Sequence, residues 1–223
     1  MKIRTAAALM VSLGMASSAV AASFSYSGPP VPIPEAADLS GANPGAQVGA
    51  PITVSGLTQP VGKVVISIDG TACTDAPGAT TVGIDHTFVS DLVLTLRAPD
   101  GTEVVIGQWA DGGGNNLCQV VFDDAEAAQL LTVPSVNAPF TGRYRPFSPL
   151  SAFAGRPANG TWTLLAQDFF SEDTGSIRAW SIDITSAQAS APTPVPTLSE
   201  WALIGLSSLM AAIAVARVRR RQH

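Results

Sequence analysis

Residues 92–101 read Leu-Val-Leu-Thr-Leu-Arg-Ala-Pro-Asp-Gly, and this stretch decides the fold. Leucines at 92, 94 and 96 alternate with Val93, Thr95 and Arg97, which is the period of a β-strand with one buried face. Pro-Asp-Gly then supplies a turn. The alternation returns at 64–69 and 180–185, and turn residues follow at 112–116, 159–160 and 174–175. Short alternating strands separated by turns predict an all-β protein built as an antiparallel β-sandwich.

Three blocks of this region occur in an order that one family shares. They are Asp85-His86-Thr87-Phe88-Val89-Ser90-Asp91-Leu92, then Val121-Phe122-Asp123-Asp124-Ala125, then Asn159-Gly160-Thr161-Trp162-Thr163-Leu164 with Trp180-Ser181-Ile182. Residues 31–186 therefore resemble the P domain, or Homo B domain, of subtilisin/kexin-type proprotein convertases. The resemblance implies a jelly-roll-like sandwich that serves beside a catalytic domain. Ser90 stands where glycine is common, and residues 70–83 resemble an insertion.

The C-terminal segment predicts a membrane anchor. An apolar run covers 201–216, and its polar side chains are Ser207 and Ser208. It spans roughly 24 Å at 1.5 Å per residue, slightly less than a hydrocarbon core. Trp201 suits one interface, and a basic stop of Arg217, Arg219, Arg220 and Arg221 suits the other. A transmembrane helix over 201–216 fits better than the alternative, a buried core helix.

The residues before this helix resemble a sorting signal. Val195, Pro196, Thr197, Leu198 and Trp201 match the pattern of the IPTL-CTERM signal of Gram-negative bacteria, with Val in place of Ile. The resemblance covers 195–223 and implies an exosortase-type transpeptidase as a processing partner.

The N-terminus predicts export. Lys2 and Arg4 precede an apolar stretch, and Ala19-Val20-Ala21 has the form of a cleavage site, so residues 1–22 are interpreted as a signal peptide. Residues 23–30 are expected to be a linker, and 187–194 a Pro-rich spacer. Positive charge remains cytoplasmic, which predicts an inner-membrane anchor with the domain facing the periplasm, or later the outer surface. The signal peptide leads almost directly into the module, so no catalytic domain is expected before it.

Charge and cysteines limit the partners. Residues 24–191 hold 16 acids and 6 bases, a net charge of 6 − 16 = −10, which argues against a nucleic-acid partner. Cys73 and Cys118 are expected to form a disulfide after export, which is favoured over a two-ligand metal site because further Cys or His ligands are lacking.

We expect no catalytic residue. His86 would have to serve any Ser-His-Asp triad, and it lies within an ordinary motif of the family. Asp173-Thr174-Gly175 resembles an aspartic-protease motif, but such enzymes need two carboxylates and one copy is present. A turn is the better interpretation. Residues 112–116 lack the end of a phosphate-binding loop, and a mobile loop is expected there.

The acidic side chains suggest calcium or capping. Asp91, Asp124, Asp168 and Asp173 are the candidate calcium ligands, since some bacterial P domains resemble calcium-binding modules at such positions. The alternative, that these aspartates cap backbone N–H groups, is favoured because no EF-hand spacing is present. A short helix over Asp124–Leu131 is the one helix predicted in this region. Trp162 and Trp180 are expected in the core rather than on a sugar-binding face.

Together these features predict an exported, envelope-anchored, non-catalytic P-domain protein that acts as a stability or interaction module for an unknown protein or glycan ligand. The alternatives are a serine-type peptidase-associated protein working with a partner in trans, a small peptidase, and an envelope adhesin.

Overall fold

The computed structural model describes residues 21–108, 113–188 and 198–220. They form two units, a β-rich body and a C-terminal helix. The described strands are β1 (Ala21–Ser25), β2 (Val31–Ile33), β3 (Val48–Val54), β4 (Val61–Ile68), β5 (Ile84–His86), β6 (Leu92–Arg97), β7 (Glu103–Gln108), β8 (Leu117–Phe122), β9 (Phe140–Tyr144), β10 (Gly160–Asp168), β11 (Gly175–Ile177) and β12 (Trp180–Ser186). The helix is α1 (Leu198–Arg220).

The strands form two sheets. The larger has the order β1-β12-β4-β8-β5-β11-β2, with β9 beside β8, and the smaller has the order β3-β10-β6-β7. The chain passes repeatedly between the sheets, as a jelly-roll-like sandwich does, and no barrel closes. All pairs are antiparallel except β8 and β9, which run parallel. The predicted all-β sandwich is confirmed.

The core lies between the two sheets. On β6, Leu92, Leu94 and Leu96 are fully buried, as the alternation predicts, and Leu96 lies opposite Leu164 of β10. Trp162 and Trp180 have no exposed surface, which confirms their core position. The rings of Trp162 and Phe153 meet edge to face, with their centroids 5.1 Å apart. Such pairs add about 1 kcal/mol beyond the area that they bury.

Two local predictions differ from the structure. The strand β1 (Ala21–Ser25) begins within the predicted signal peptide and includes residues 23–25 of the expected linker, where Phe24 lies opposite Ile182 of β12. The short helix expected over Asp124–Leu131 is wrong, because this segment consists of turns followed by a 3-10 helix at Leu130–Thr132. The carboxylate of Asp123 accepts the N–H of Ala125 at 3.0 Å, and such local bonds compete with helix formation.

The helix α1 is longer than the predicted span of 201–216. Its 23 residues extend about 34 Å at 1.5 Å per residue, which is enough for a hydrocarbon core. Residues 201–220 have a mean hydropathy of 1.8. Ser207 and Ser208 donate to backbone carbonyls one turn earlier, at 2.8 Å to Leu203 and Ile204, so both hydroxyls are satisfied within the helix.

Candidate functional site

Three of the four candidate calcium ligands lie together. Asp91 is the last residue of a short 3-10 helix before β6, Asp168 ends β10, and Asp173 lies in the loop before β11. Pairing of β10 with β6 places Asp168 opposite Leu92, the residue after Asp91. The acidic cluster therefore consists of Asp91, Asp168 and Asp173.

His86 of β5 borders this acidic cluster and is 1% exposed. Its Nε2 lies 3.1 Å from Asp168 Oδ2, and its Nδ1 lies 3.0 Å from the carbonyl oxygen of Phe88. Asp168 Oδ1 accepts the backbone N–H of Phe170 at 3.0 Å. Both ring nitrogens already have partners, so the His86 side chain serves as a structural link between β5 and β10.

Asp91 has the least compensated charge of the acidic cluster. It is 8% exposed, and the carboxyl groups of Asp168 and Asp173 lie near it. Burial, together with the negative charges of Asp168 and Asp173, raises the pKa of Asp91 to about 6, and His86 opposes this rise. Asp173 Oδ1 accepts the Thr87 hydroxyl at 2.6 Å. A bound cation would reduce the electrostatic repulsion between these carboxylates.

Asp124 does not belong to the acidic cluster. Its two carboxylate oxygens accept the backbone N–H groups of Leu150 and Ser151, each at 2.8 Å. These residues begin the 3-10 helix Leu150–Phe153, whose first amides lack partners inside the helix. Asp124 therefore has the capping role that the sequence analysis favoured, at a helix distant along the chain.

The acidic cluster does not make a full metal centre. Within residues 21–108, 113–188 and 198–220, no group of three or more His, Cys, Asp or Glu side chains is placed to hold a metal ion. The oxygens of Asp91 and the second oxygen of Asp173 would supply three ligands, whereas calcium takes six to eight. Carbonyl groups or water would have to complete the coordination.

The Asp173-Thr174-Gly175 segment is a loop that enters β11. The Thr174 carbonyl accepts the N–H of Thr87 at 3.3 Å. A Cβ on Gly175 would collide with the Asp85 carbonyl, so close strand pairing requires glycine here. The segment serves the fold, as expected.

The predicted disulfide is confirmed. Cys73 and Cys118 are bonded, with their Cα atoms 5.5 Å apart. The bond anchors the 70–83 segment to β8.

Asn116, which the sequence analysis assigned to a mobile loop, is fully buried. Its Nδ2 donates to the carbonyls of Thr74 and Ala76 at 2.8 and 2.9 Å, and its Oδ1 accepts the N–H of His86 at 3.0 Å. Its φ of +69° is one that asparagine tolerates better than most residues. The mobile-loop prediction is wrong at this residue, which joins the disulfide segment to His86.

The sorting residues divide between described and undescribed segments. Leu198 and Trp201 lie on the first two turns of α1, while Arg217, Arg219 and Arg220 lie in its last turn. Val195, Pro196, Thr197 and Arg221 lie outside the described residues, as do 1–20 of the predicted signal peptide.

Comparisons with known proteins agree with these features. Residues 79–184 match the family model of the proprotein convertase P-domain, and 193–220 match the IPTL-CTERM motif. Leupeptin-inactivating enzyme 1 of Streptomyces exfoliatus is 30% identical over 142 residues, covering 63% of this chain and 23% of the relative. A calcium-dependent protease of Trichormus variabilis is 31% identical over 106 residues, covering 47% of this chain and 13% of the relative.

A crystal structure of a serine protease of Aeromonas sobria aligns with 64% of this chain and 27% of its own, at 16% identity and a TM-score of 0.23, too low to establish a shared fold. The chain spans less than a quarter of the length of the curated relatives described above. The P-domain is an accessory domain of subtilisin-like proteases, and the sorting motif with its apolar helix indicates export and membrane anchoring. The chain is therefore similar to the proprotein convertase P-domain over residues 79–184 and to the IPTL-CTERM sorting signal over residues 193–220.

Proposed function

We propose that this protein is a non-catalytic P-domain module, exported in a Gram-negative bacterium and held in the inner membrane with its domain in the periplasm. There it would stabilise or recruit a protease supplied in trans. The observation that carries the proposal is the match of residues 79–184 to an accessory domain of proteases, followed by a sorting signal.

The geometry of His86 supports a non-catalytic role. A general base must offer a free nitrogen to a nucleophile. Here Asp168 and the Phe88 carbonyl occupy the two ring nitrogens, and the ring is buried. A triad built on His86 would require this link between strands to break.

The test uses the full chain purified in neutral detergent. We expect no hydrolysis of a casein substrate by the chain alone, and a longer half-life at elevated temperature for a subtilisin-like protease from the same genome when the chain is added. Cleavage by the chain alone that disappears in a folded His86→Ala variant would establish the peptidase alternative. No effect on the protease would refute the accessory role.

The structure removes one argument for the adhesin alternative, namely that exposed tryptophans could bind a sugar. Trp162 and Trp180 are buried, so neither ring is available to stack on a sugar. A glycan array with the full chain would still separate this alternative from the proposal, because saturable binding to a defined sugar favours an adhesin.

Calcium binding is a second proposal, and the uncompensated Asp91 carboxylate favours it. The curated relative from Trichormus variabilis is named a calcium-dependent protease. Asp91 and Asp173 would hold the ion, with Asp168 fixed by His86 as a neighbouring charge. The ion would replace repulsion between carboxylates with attraction.

Calcium should raise the melting temperature of the full chain, by mass action on the folded state. Asp91→Asn should abolish this rise, whereas Asp75→Asn, at an exposed position, should retain it. No calcium-dependent shift in the wild type, or an equal shift in Asp91→Asn, would remove the proposal.

Processing by an exosortase-type transpeptidase is the third part of the proposal. Mass spectrometry of the mature C-terminus should show loss of the 198–220 helix in cells that contain such an enzyme. An intact C-terminus in those cells would contradict processing.

A further inference from the structure

One basic side chain of the domain differs from all the others. Residues 21–188 contain six Lys and Arg residues, and five of them form ion pairs with carboxylates at 4.0 Å or less. The exception is Arg145, which is exposed and has no ion pair or side-chain hydrogen bond among the described residues. Among the described residues of this acidic domain, Arg145 is thus the one guanidinium without a carboxylate partner.

Arg145 lies at an open depression of about 440 Å³. Phe147, which is 47% exposed, and Pro149 line the same depression. A narrow cleft with an apolar floor of Ile106 and Leu130 adjoins it, and Arg145 and Phe147 line both. A cation therefore stands beside an exposed aromatic ring.

The backbone around this depression is held firmly. The N–H groups of Phe147 and Ser148 donate to the carbonyls of Ile106 and Val105 at 3.0 and 2.9 Å, so this segment covers the edge strand β7. The N–H of Arg145 donates to Ala128 at 2.7 Å. Fixed backbone lowers the entropy that a ligand must offset on binding.

The charges around the depression define the ligand. A guanidinium binds a carboxylate through two parallel N–H···O bonds. Asp124 also lines the depression, and its charge disfavours a second acid beside it. The ligand must therefore direct its carboxylate to Arg145 and its apolar group to Phe147 and Pro149. The negative charge of the domain opposes acidic segments over its whole surface, and this repulsion is weakest beside a base that is not paired with a carboxylate.

We propose that the Arg145–Phe147 depression binds an acidic, apolar polypeptide segment, in which an Asp or Glu lies next to a large apolar residue. The volume suits two or three residues, within the usual range of ligand sites. Charge complementarity selects this occupant, and the proposal does not require that the partner be a protease.

The test measures fluorescence anisotropy with the full chain in neutral detergent. The probe is a fluorescein-labelled hexapeptide of alternating Glu and Leu, and the matched peptide replaces each Glu with Gln. We expect saturable binding of the acidic peptide that weakens at least about tenfold in Arg145→Gln and with the neutral peptide. Phe147→Ser should weaken both peptides.

Arg143→Gln is the matched control. Arg143 is also exposed and lies two residues away on β9, but it is paired with Glu126 at 2.7 Å. The Arg143→Gln variant removes the same charge as Arg145→Gln, and we expect it to change the affinity for the acidic peptide less than about twofold. The circular dichroism spectrum and melting temperature of Arg145→Gln should match the wild type, since the Arg145 side chain makes no hydrogen bond or ion pair with the part of the chain that the structure describes.

Three outcomes would overturn the proposal. The first is no saturable binding by the wild type, and the second is equal loss in Arg143→Gln and Arg145→Gln. The third is a change of oligomeric state in Arg145→Gln without a change in peptide binding, which would make the depression a contact between copies of this chain.

Discussion

Replacement of Asn116 by aspartate should lower the free energy of unfolding of the domain more than the same replacement at a less buried asparagine. The carboxylate is nearly isosteric and can still accept the N–H of His86. Its second oxygen, however, would face the carbonyl oxygens of Thr74 and Ala76, which now lie 2.8 and 2.9 Å from the amide nitrogen. Three acceptors would then meet where two hydrogen bonds existed.

The magnitude follows from the bonds that are lost. Each is worth about 1 kcal/mol, and an uncompensated charge at a buried position adds a further penalty, so we expect a loss of about 3–5 kcal/mol at neutral pH. Asn116→Gly, which accepts the φ of +69° freely, should lose about 2–3 kcal/mol from the hydrogen bonds. Protonation restores one donor, so the defect of Asn116→Asp should shrink as pH falls.

The assay is urea denaturation of the oxidised full chain at two pH values, and Asn115→Asp is the matched control. Asn115 is half-buried and makes one side-chain bond, from Nδ2 to the Asp75 carbonyl at 2.8 Å. Its substitution should cost about 1 kcal/mol. If Asn116→Asp costs no more than Asn115→Asp, or if its defect does not depend on pH, Asn116 does not join the disulfide segment to the body as argued.

Three further predictions concern the core, the acidic cluster and the disulfide. Trp162→Phe should cost about 1–3 kcal/mol more than Trp180→Phe in urea denaturation, because Trp162 Nε1 donates to Ala158 at 2.8 Å while Trp180 Nε1 has no partner among the described residues; equal costs would contradict this. Asp91 has its pKa raised from 3.8 to about 6 in the fold, so the stability that it contributes is full below pH 3.8 and is lost as pH rises through about 6. In calcium-free buffer, Asp91→Asn should therefore become more stable relative to the wild type across this range, and a constant difference would refute the shift. Replacing Cys73 and Cys118 by serine should cost about 4 kcal/mol, because the bond closes a loop over a sequence separation of 45; a loss under about 1 kcal/mol would show that the unfolded chain is not constrained.

The sequence predicts those strands whose burial alternates locally. Leu92–Arg97 and Trp180–Ser186 carry their signal within six or seven residues, so their faces could be assigned without knowing their neighbours. β1 could not be found this way because Ala-Ala-Ser-Phe-Ser has little hydrophobic contrast, and its strand depends on pairing with β12. The parallel pairing of β9 with β8 also depends on distant contacts and has no local signal.

In the candidate site, too, features with a local sequence signal could be predicted and features that depend on distant contacts could not. The proximity of Asp91 to Asp168 follows from strand pairing, and the resemblance to a sandwich module made it a reasonable expectation. The capping partners of Asp124, Leu150 and Ser151, could not be named from the sequence because they lie 26 and 27 residues away along the chain. Arg145 cannot be distinguished from the other arginines in the sequence. Only the structure shows that it lacks a carboxylate partner among the described residues, while the other five bases of residues 21–188 are paired.

The distribution of satisfied and unsatisfied charges shows where ligands could act on this domain. His86, Asn116 and Asp168 are buried polar groups whose hydrogen-bonding atoms have protein partners, and such networks fix one arrangement of the strands. Asp91 is buried against like charge, and Arg145 is exposed with no counter-ion among the described residues, so the described fold gains nothing from either charge. Local arrangements that the fold does not need are expected at functional positions. Asp91 and Arg145, rather than the histidine of the family motif, are therefore the residues at which a cation and an acidic partner would act.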